Sequence, residues 1–241
     1  MNLKVSVQQP GLTDVRTRQA LRLAIDRQAI VKAAYSGDAL ASANLLPPAI
    51  AGHDPTLLPV TDTVRAAELL KASGGPGREL TMFIISVAAD IRRSAEMLQA
   101  DWAKLGVKVA IRSMDLGDLY RRTALGEHDL ALASWNGDNG DADNFFGPLL
   151  SCAAVQGGSN AARLCDAALD ALIEDGRRTT DPKRRAEIYA QASRRMQELS
   201  GMVPLAHRAL TFVMSRRVEG FVPSPLDIED FSRVKLTDAP K

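Results

Sequence analysis

Between Leu80 and Trp135 short apolar runs alternate with amphipathic ones, and few folds accept that order. Leu80 to Val87 (LTMFIISV) is apolar enough to be a strand buried on both faces. Asp90 then introduces a helix with Ile91, Ala95, Leu98, Trp102 and Leu105 on one stripe, ended by Gly106. Val107, Val109 and Ile111 alternate as a second strand. Residues 116 to 125 return as a helix carrying Leu116, Leu119, Tyr120 and Leu125, and Asp129 to Trp135 forms a third strand. Strand-helix-strand-helix-strand predicts an α/β layer with right-handed crossovers, whose strand-end loops gather into a ligand crevice. The segment after Trp135, Asn136 to Phe146 (NGDNGDADNFF), borders that crevice if it forms.

The flanks are mostly helical. Residues 3 to 8 alternate as a strand; Asp14 and Asp26 are placed to cap two successive helices, the second running to Gly37. The stretch Leu40 to Pro59, with Pro47, Pro48, Pro55 and Pro59, is expected to be a long surface loop. Thr63 is the expected cap of a helix that stops at Gly74-Gly75-Pro76-Gly77. Leu164 to Gly176 is helical, and Asp181-Pro182 opens a longer helix carrying Ile188, Ala192, Met196 and Leu199. Val203 to Val213 reads as a final strand region. The segment from Val218 to Lys241, with Pro223, Pro225 and Pro240, holds too little apolar material for a domain of its own.

Composition narrows the function. The 241 residues are 46% hydrophobic, enough for a real core, and 30 basic residues nearly balance 29 acidic ones, which leaves no electrostatic footprint for nucleic acid or a bilayer surface. No run is long and apolar enough to span a membrane, and MNLKVSVQQPG lacks the plan of a secretory signal, so the chain is expected to be a fragment. Cys152 and Cys165, with twelve residues between them, are either two separate buried thiols or a disulfide that implies an oxidising compartment.

The cluster Asp138, Asp141, Asp143 admits several readings: a turn built from Asn, Gly and Asp, a calcium loop, a carboxylate pair for hydrolysis, or a ligand-facing acid. The calcium reading is disfavoured, because Gly140 stands where a second ligand belongs and no glutamate closes the pattern. His53, His128 and His207 are far apart and match no zinc or nucleophile motif, so neither metal nor cofactor is expected. Arg184-Arg185 and Arg194-Arg195 fall on polar helix faces and are read as solvated charge without function.

A resemblance adds to this. Asp14 to Leu21 (DVRTRQAL) followed by Ala24-Ile25-Asp26-Arg27, Leu46-Pro47-Pro48, Ala66 to Gly74, Ala95 to Val107 (AEMLQADWAKLGV), Trp135 to Phe146, Pro148 to Cys152, Cys165-Asp166 and Pro204 to His207 occur in an order that resembles the peptide and oligopeptide-binding proteins of ABC importers, solute-binding family 5. GDNGDADNFF and the cysteine spacing look most like the dipeptide-binding branch, PLLSCAA and VPSP equally like the antimicrobial-peptide (Sap-type) branch. Members of the family are about twice this length.

The resemblance implies one α/β lobe of the type II periplasmic-binding-protein class, a mixed sheet flanked by helices. Residues 1–217 would be the second, carboxy-terminal lobe, and 218–241 a tail returning to a missing first lobe. It implies a binding module rather than an enzyme, held outside the cytoplasm, taking a peptide ligand and, with the first lobe, meeting an ABC permease of the inner membrane. Asp138 would pair with the ligand's α-amino group, with Trp135, Asn136 and Gly137 beside it, and Cys152–Cys165 would be bridged. The arginine that dipeptide binders carry in the loop after the strand matching Leu80 to Val87 is not matched, because here that loop reads Ala88-Ala89-Asp90-Ile91 and Arg92 and Arg93 fall in the helix start. The rival expectations are a hydrolase using Asp138 with Asp141 or Asp143, and a non-binding interaction module derived from the lobe.

Overall fold

The computed structural model describes residues 1–224 and 229–238. In chain order the elements are β1 (Asn2–Val5), α1 (Val15–Leu23), α2 (Arg27–Ala34), β2 (Ala39–Ala41), α3 (Thr63–Ser73), β3 (Leu80–Ile85), α4 (Ala89–Ala103), β4 (Val109–Met114), α5 (Leu116–Ala124), β5 (Leu130–Ala133), α6 (Asp143–Leu150), α7 (Ala154–Gly157), α8 (Ala167–Arg178), α9 (Pro182–Leu199), β6 (Met202–Pro204), β7 (Ala206–Arg208), β8 (Val218–Glu219) and β9 (Lys235–Leu236).

Five strands form one mixed sheet in the order β4-β3-β5-β1-β6. The β3, β4 and β5 strands run parallel, joined by the two helical crossovers that the alternating pattern predicts. β1 inserts antiparallel between β5 and β6, with Leu3 opposite both Leu132 and Val203. Strand side chains alternate, so Leu3, Val5, Met82, Ile84, Leu130 and Leu132 share one core with Leu21, Leu98 and Trp102. The Trp102 indole donates to Leu21 O at 2.9 Å, which ties α4 to α1. A second core joins Phe145, Phe146 and Leu149 of α6 to Leu169 and Ile173 of α8 and to Tyr189, Ala192 and Met196 of α9.

The caps follow local chemistry. Asp14, Asp26 and Asp181 accept the expected backbone N–H groups, and Gly74 ends α3 at φ 78°, a conformation that favours glycine. Two expected caps move. Asp62 rather than Thr63 caps α3, and Asp90 lies inside the first turn of α4, where its charge faces the helix N-terminus without capping it.

Three larger expectations are corrected. The segment 40–59 is not a pure surface loop: Ala43, Leu45, Leu46, Asn44 and Asp54 are buried, because the Asn44 amide exchanges hydrogen bonds with the Asp54 backbone and so satisfies polar groups that burial would otherwise orphan. On α5 only Leu119 and Thr123 are buried, whereas Leu116, Tyr120 and Leu125 are exposed. Thr123 is tolerated inside because its hydroxyl bonds back to Leu119 O. Val203 to Val213 is not one strand: β6 completes the main sheet and β7 pairs separately with β2.

Beyond residue 217, β8 pairs antiparallel with β9, and Phe212, Phe221 and Phe231 form a ring cluster at centroid distances of 5.2 and 5.8 Å. Pro225 and Pro240, which mark this segment in the sequence, lie outside the described residues. Among the described residues no helix is long and apolar enough to cross a membrane.

Candidate functional site

Strand pairing decides which residues meet. Asn2 lies opposite Ala133 on β5 and Pro204 on β6, so the start of β1, the end of β5 and the end of β6 share one edge of the sheet. Here a cavity of about 640 Å³ is lined by Trp135, Asn136 and Gly137 together with Ile50, His207 and Arg208. This is the edge at which parallel α/β sheets hold ligands. A larger, open depression of about 990 Å³ lies at the opposite edge, between Gly74–Glu79 and Lys104–Lys108 ahead of β3 and β4. Strand polarity makes the smaller cavity the candidate.

The loop from Trp135 to Asp143 is braced from within. The Trp135 indole donates to Asn144 O at 2.8 Å, and the Asn144 side-chain oxygen accepts the Asp138 N–H at 3.0 Å. A Cβ on Gly137 would stand 2.6 Å from the Phe145 ring, so only glycine lets the chain pass so close to α6.

The three acids of the cluster part company. Asp141 takes a two-pronged hydrogen bond from the Arg185 guanidinium, and its side-chain oxygen accepts the Asp143 N–H at 2.7 Å. Asp143 accepts from Arg177 Nε at 2.9 Å. Asp138 is exposed; among the described residues its carboxylate meets only the Asn144 amide, at 3.4 Å, and has no cationic partner. It does not line the cavity itself but stands next to Gly137, which does. The arginine runs are therefore more than solvated charge: Arg185 holds Asp141, Arg194 holds Asp54 and Arg195 holds Asp166. Their partners are 44, 140 and 29 residues away, and no local pattern names them.

This arrangement disfavours the acid-pair hydrolase. The Arg185 hydrogen bond holds the Asp141 carboxyl below the usual carboxylate range, the opposite of what a general acid needs. His53, His128 and His207 each rest a ring nitrogen on a different carbonyl, of Leu46, Ala161 and Asn44 respectively. Among the described residues no group of three or more His, Cys, Asp or Glu side chains is placed to hold a metal ion. Arg92 donates to Ser113 Oγ and does not reach the cavity.

A pH dependence follows. Asp141 and Asp166 are both depressed in the folded chain, chiefly by hydrogen bonds from Arg185 and Arg195. Folded values below the unfolded ones contribute stability above about pH 4 that is lost as pH falls through the folded values. Arg185→Met should cost about 1 kcal/mol at pH 7, modest because the pair is partly exposed, and less at pH 2, where Asp141 gains its proton and only the contacts of Arg185 with Gly176 O and the Tyr189 ring are left to lose. Urea unfolding at the two pH values checks this; an equal loss at both would show that Arg185 acts through packing.

Cys152 and Cys165 form a disulfide, as the resemblance implies. The bridge joins the end of α6 to the approach to α8, and the Cys152 N–H donates to Asp170 of α8 at 2.7 Å.

Residues 1–157 match the family model described as bacterial extracellular solute-binding proteins, family 5 Middle. The dipeptide-binding protein of Escherichia coli K12 is 37% identical over 240 residues, covering 97% of this chain and 45% of that protein. Heme-binding protein A of Haemophilus influenzae is 35% identical over 229 residues, covering 92% and 42%. The crystal structure of a dipeptide binding protein from Pseudoalteromonas sp. SM9913 in complex with Met-Leu superimposes with a TM-score of 0.86 at 29% identity, over 98% of this chain and 48% of that one. The chain thus spans about half the length of the curated relatives it matches. With the family model matching well over half of its residues, the chain belongs to the bacterial extracellular solute-binding proteins of family 5.

Proposed function

We propose that this chain is one lobe of an extracytoplasmic peptide-binding protein that serves an ABC importer, and that the Asp138 carboxylate receives the α-amino group of the ligand. The observation that carries the reading is the unequal fate of the three acids: Arg185 and Arg177 neutralise Asp141 and Asp143, while among the described residues Asp138 has no cation and stands beside a cavity at the expected ligand-binding edge. A charge-assisted hydrogen bond between a carboxylate and an ammonium contributes roughly 1.5–3 kcal/mol. Relatives named as dipeptide-binding proteins, one bound to Met-Leu, support a peptide as the ligand. The protein acts by binding and not by catalysis. Its first lobe closes the cleft, and an inner-membrane permease accepts the cargo. One lobe desolvates a ligand from one side only, so affinity for the isolated chain is weak.

The test is an NMR titration of the 241-residue chain with Ala-Ala, N-acetyl-Ala-Ala and haemin. Ala-Ala alone should shift the amides of residues 135–140, and Asp138→Asn should weaken that response about tenfold or more, by the bond strength above. Equal responses to the free and acetylated peptides would remove Asp138 from its role. A response to haemin with none to either peptide would overturn the peptide reading.

A further inference from the structure

Lys4 is a lysine in the wrong surroundings. It lies on interior strand β1 opposite Ala131 of β5, and it is only 4% exposed. An ammonium has three donors, yet Lys4 Nζ makes a single long hydrogen bond, to Ala133 O at 3.3 Å, and among the described residues no carboxylate lies within ion-pair distance. Buried charges are normally paired, because removing them from water is costly otherwise. Among the described residues only the Ala133 carbonyl faces this one.

The side chain lines a cavity of about 310 Å³. At the roughly 30 Å³ that a water occupies in the liquid, this is space for about ten waters. Leu119, Tyr120 and Ala131 line it on one side, Ser134, Ser159 and Asn160 are polar residues of the lining, and among the described residues Lys4 is its only charged one. Ser134 and Trp135 also line the cavity of about 640 Å³ next to Asp138, so the two spaces share part of their walls.

We propose that this smaller cavity is an anion subsite, in which the Lys4 ammonium, assisted by the Ser134 and Ser159 hydroxyls, receives a carboxylate of the bound ligand. It rests on the peptide reading: a ligand whose amine is held beside Asp138 extends past Trp135 and places a carboxylate here, either its C-terminal group or an acidic side chain. Burial agrees with the assignment, since desolvation lowers the Lys4 pKa to about 7, and an incoming anion would restore the full charge.

The experiment follows the Cε signal of Lys4 in the 241-residue chain carrying ¹³C-labelled lysine, assigned by its absence in Lys4→Met. Four probes are added in turn: Ala-Ala, with a C-terminal carboxylate; Ala-Glu amide, with a side-chain carboxylate only; Ala-Gln amide, with neither; and glutarate, which has carboxylates but no amine. Glutarate and at least one carboxylate-bearing peptide should move the signal and raise its titration midpoint by about one unit or more, and Ala-Gln amide should not; whichever peptide acts identifies the source of the carboxylate. If peptides shift residues 135–140 but no probe moves Lys4, the subsite falls and the peptide reading stands. A response to glutarate with none to any peptide leaves the anion subsite standing and removes the peptide reading. Lys4→Met and Lys4→Gln supply a second readout: both should lose the preference for carboxylate-bearing probes, and Lys4→Met should raise the thermal midpoint by at least about 3 °C, because it removes an uncompensated buried charge. Lowered midpoints in both variants would make the lysine structural and overturn the proposal.

Discussion

Phe146→Ala should lower the unfolding free energy by about 3–5 kcal/mol and at the same time loosen the loop that carries Asp138. Phe146 is fully buried in the second core, with its ring 5.4 Å from that of Tyr189. Truncation leaves a cavity that α6, α8 and α9 can fill only by moving together. The loop has no independent footing: Asn144, two residues earlier, accepts from the Trp135 indole and from the Asp138 N–H, and Phe145 packs against Gly137. Displacing α6 displaces those contacts. Urea unfolding measures the first effect and amide hydrogen exchange at residues 135–141 the second. Leu98→Ala on α4 is the control: it cuts into the first core and should cost 2–5 kcal/mol while leaving exchange in the loop unchanged. Equal loosening by both variants would mean that the loop responds to global stability and not to α6.

The second large effect is expected from the disulfide. The two cysteines are 13 positions apart, and in the chain-entropy model a loop of that size contributes about 3 kcal/mol. Cys152→Ser combined with Cys165→Ser should lose that amount, and reductant acting on the native chain should lose the same. Asp170 still accepts the residue-152 N–H in either case, so the loss should appear as lower stability of the whole chain rather than as a detached α7. Unfolding in the presence and absence of reductant gives the comparison. A difference below about 1 kcal/mol would show that packing between α6 and α8 already fixes the loop ends.

Elements governed by local rules were legible in the sequence. The alternation from Leu80 to Trp135 reports burial on a sheet, and it yielded the parallel strands β3, β4 and β5. Asp14, Asp26 and Asp181 cap helices because a short side chain reaches its own backbone, a matter of three or four residues. What stayed hidden depends on partners distant in sequence. Leu45 and Leu46 sit among prolines that signal a loop, but α9 and the Asn44 network give that loop an interior to occupy. Leu116 and Tyr120 carry the right period for a core stripe, yet α5 leaves them exposed. The grouping of Trp135, Asn136 and Gly137 around one cavity follows from a family likeness and from strand polarity; Arg185 and Arg177, which separate Asp138 from its neighbours, had no sequence signal. Lys4 was passed over because one polar residue in an alternating strand normally faces solvent, and only the tertiary packing, with α5 and α6 beside it, shows that this face of β1 is covered.

The position of β1 has a kinetic side. A strand that begins at residue 2 finds its two neighbours at residues 130–133 and 202–204, so no part of the sheet edge around Trp135 is complete until segments separated by about two hundred residues have met. Closing such long loops is slow, and intermediates that await them expose unpaired strand edges. A form that awaits these pairings lacks the edge on which the candidate cavity is built. On the proposed reading, a ligand of that edge acts only on chains that have already finished folding.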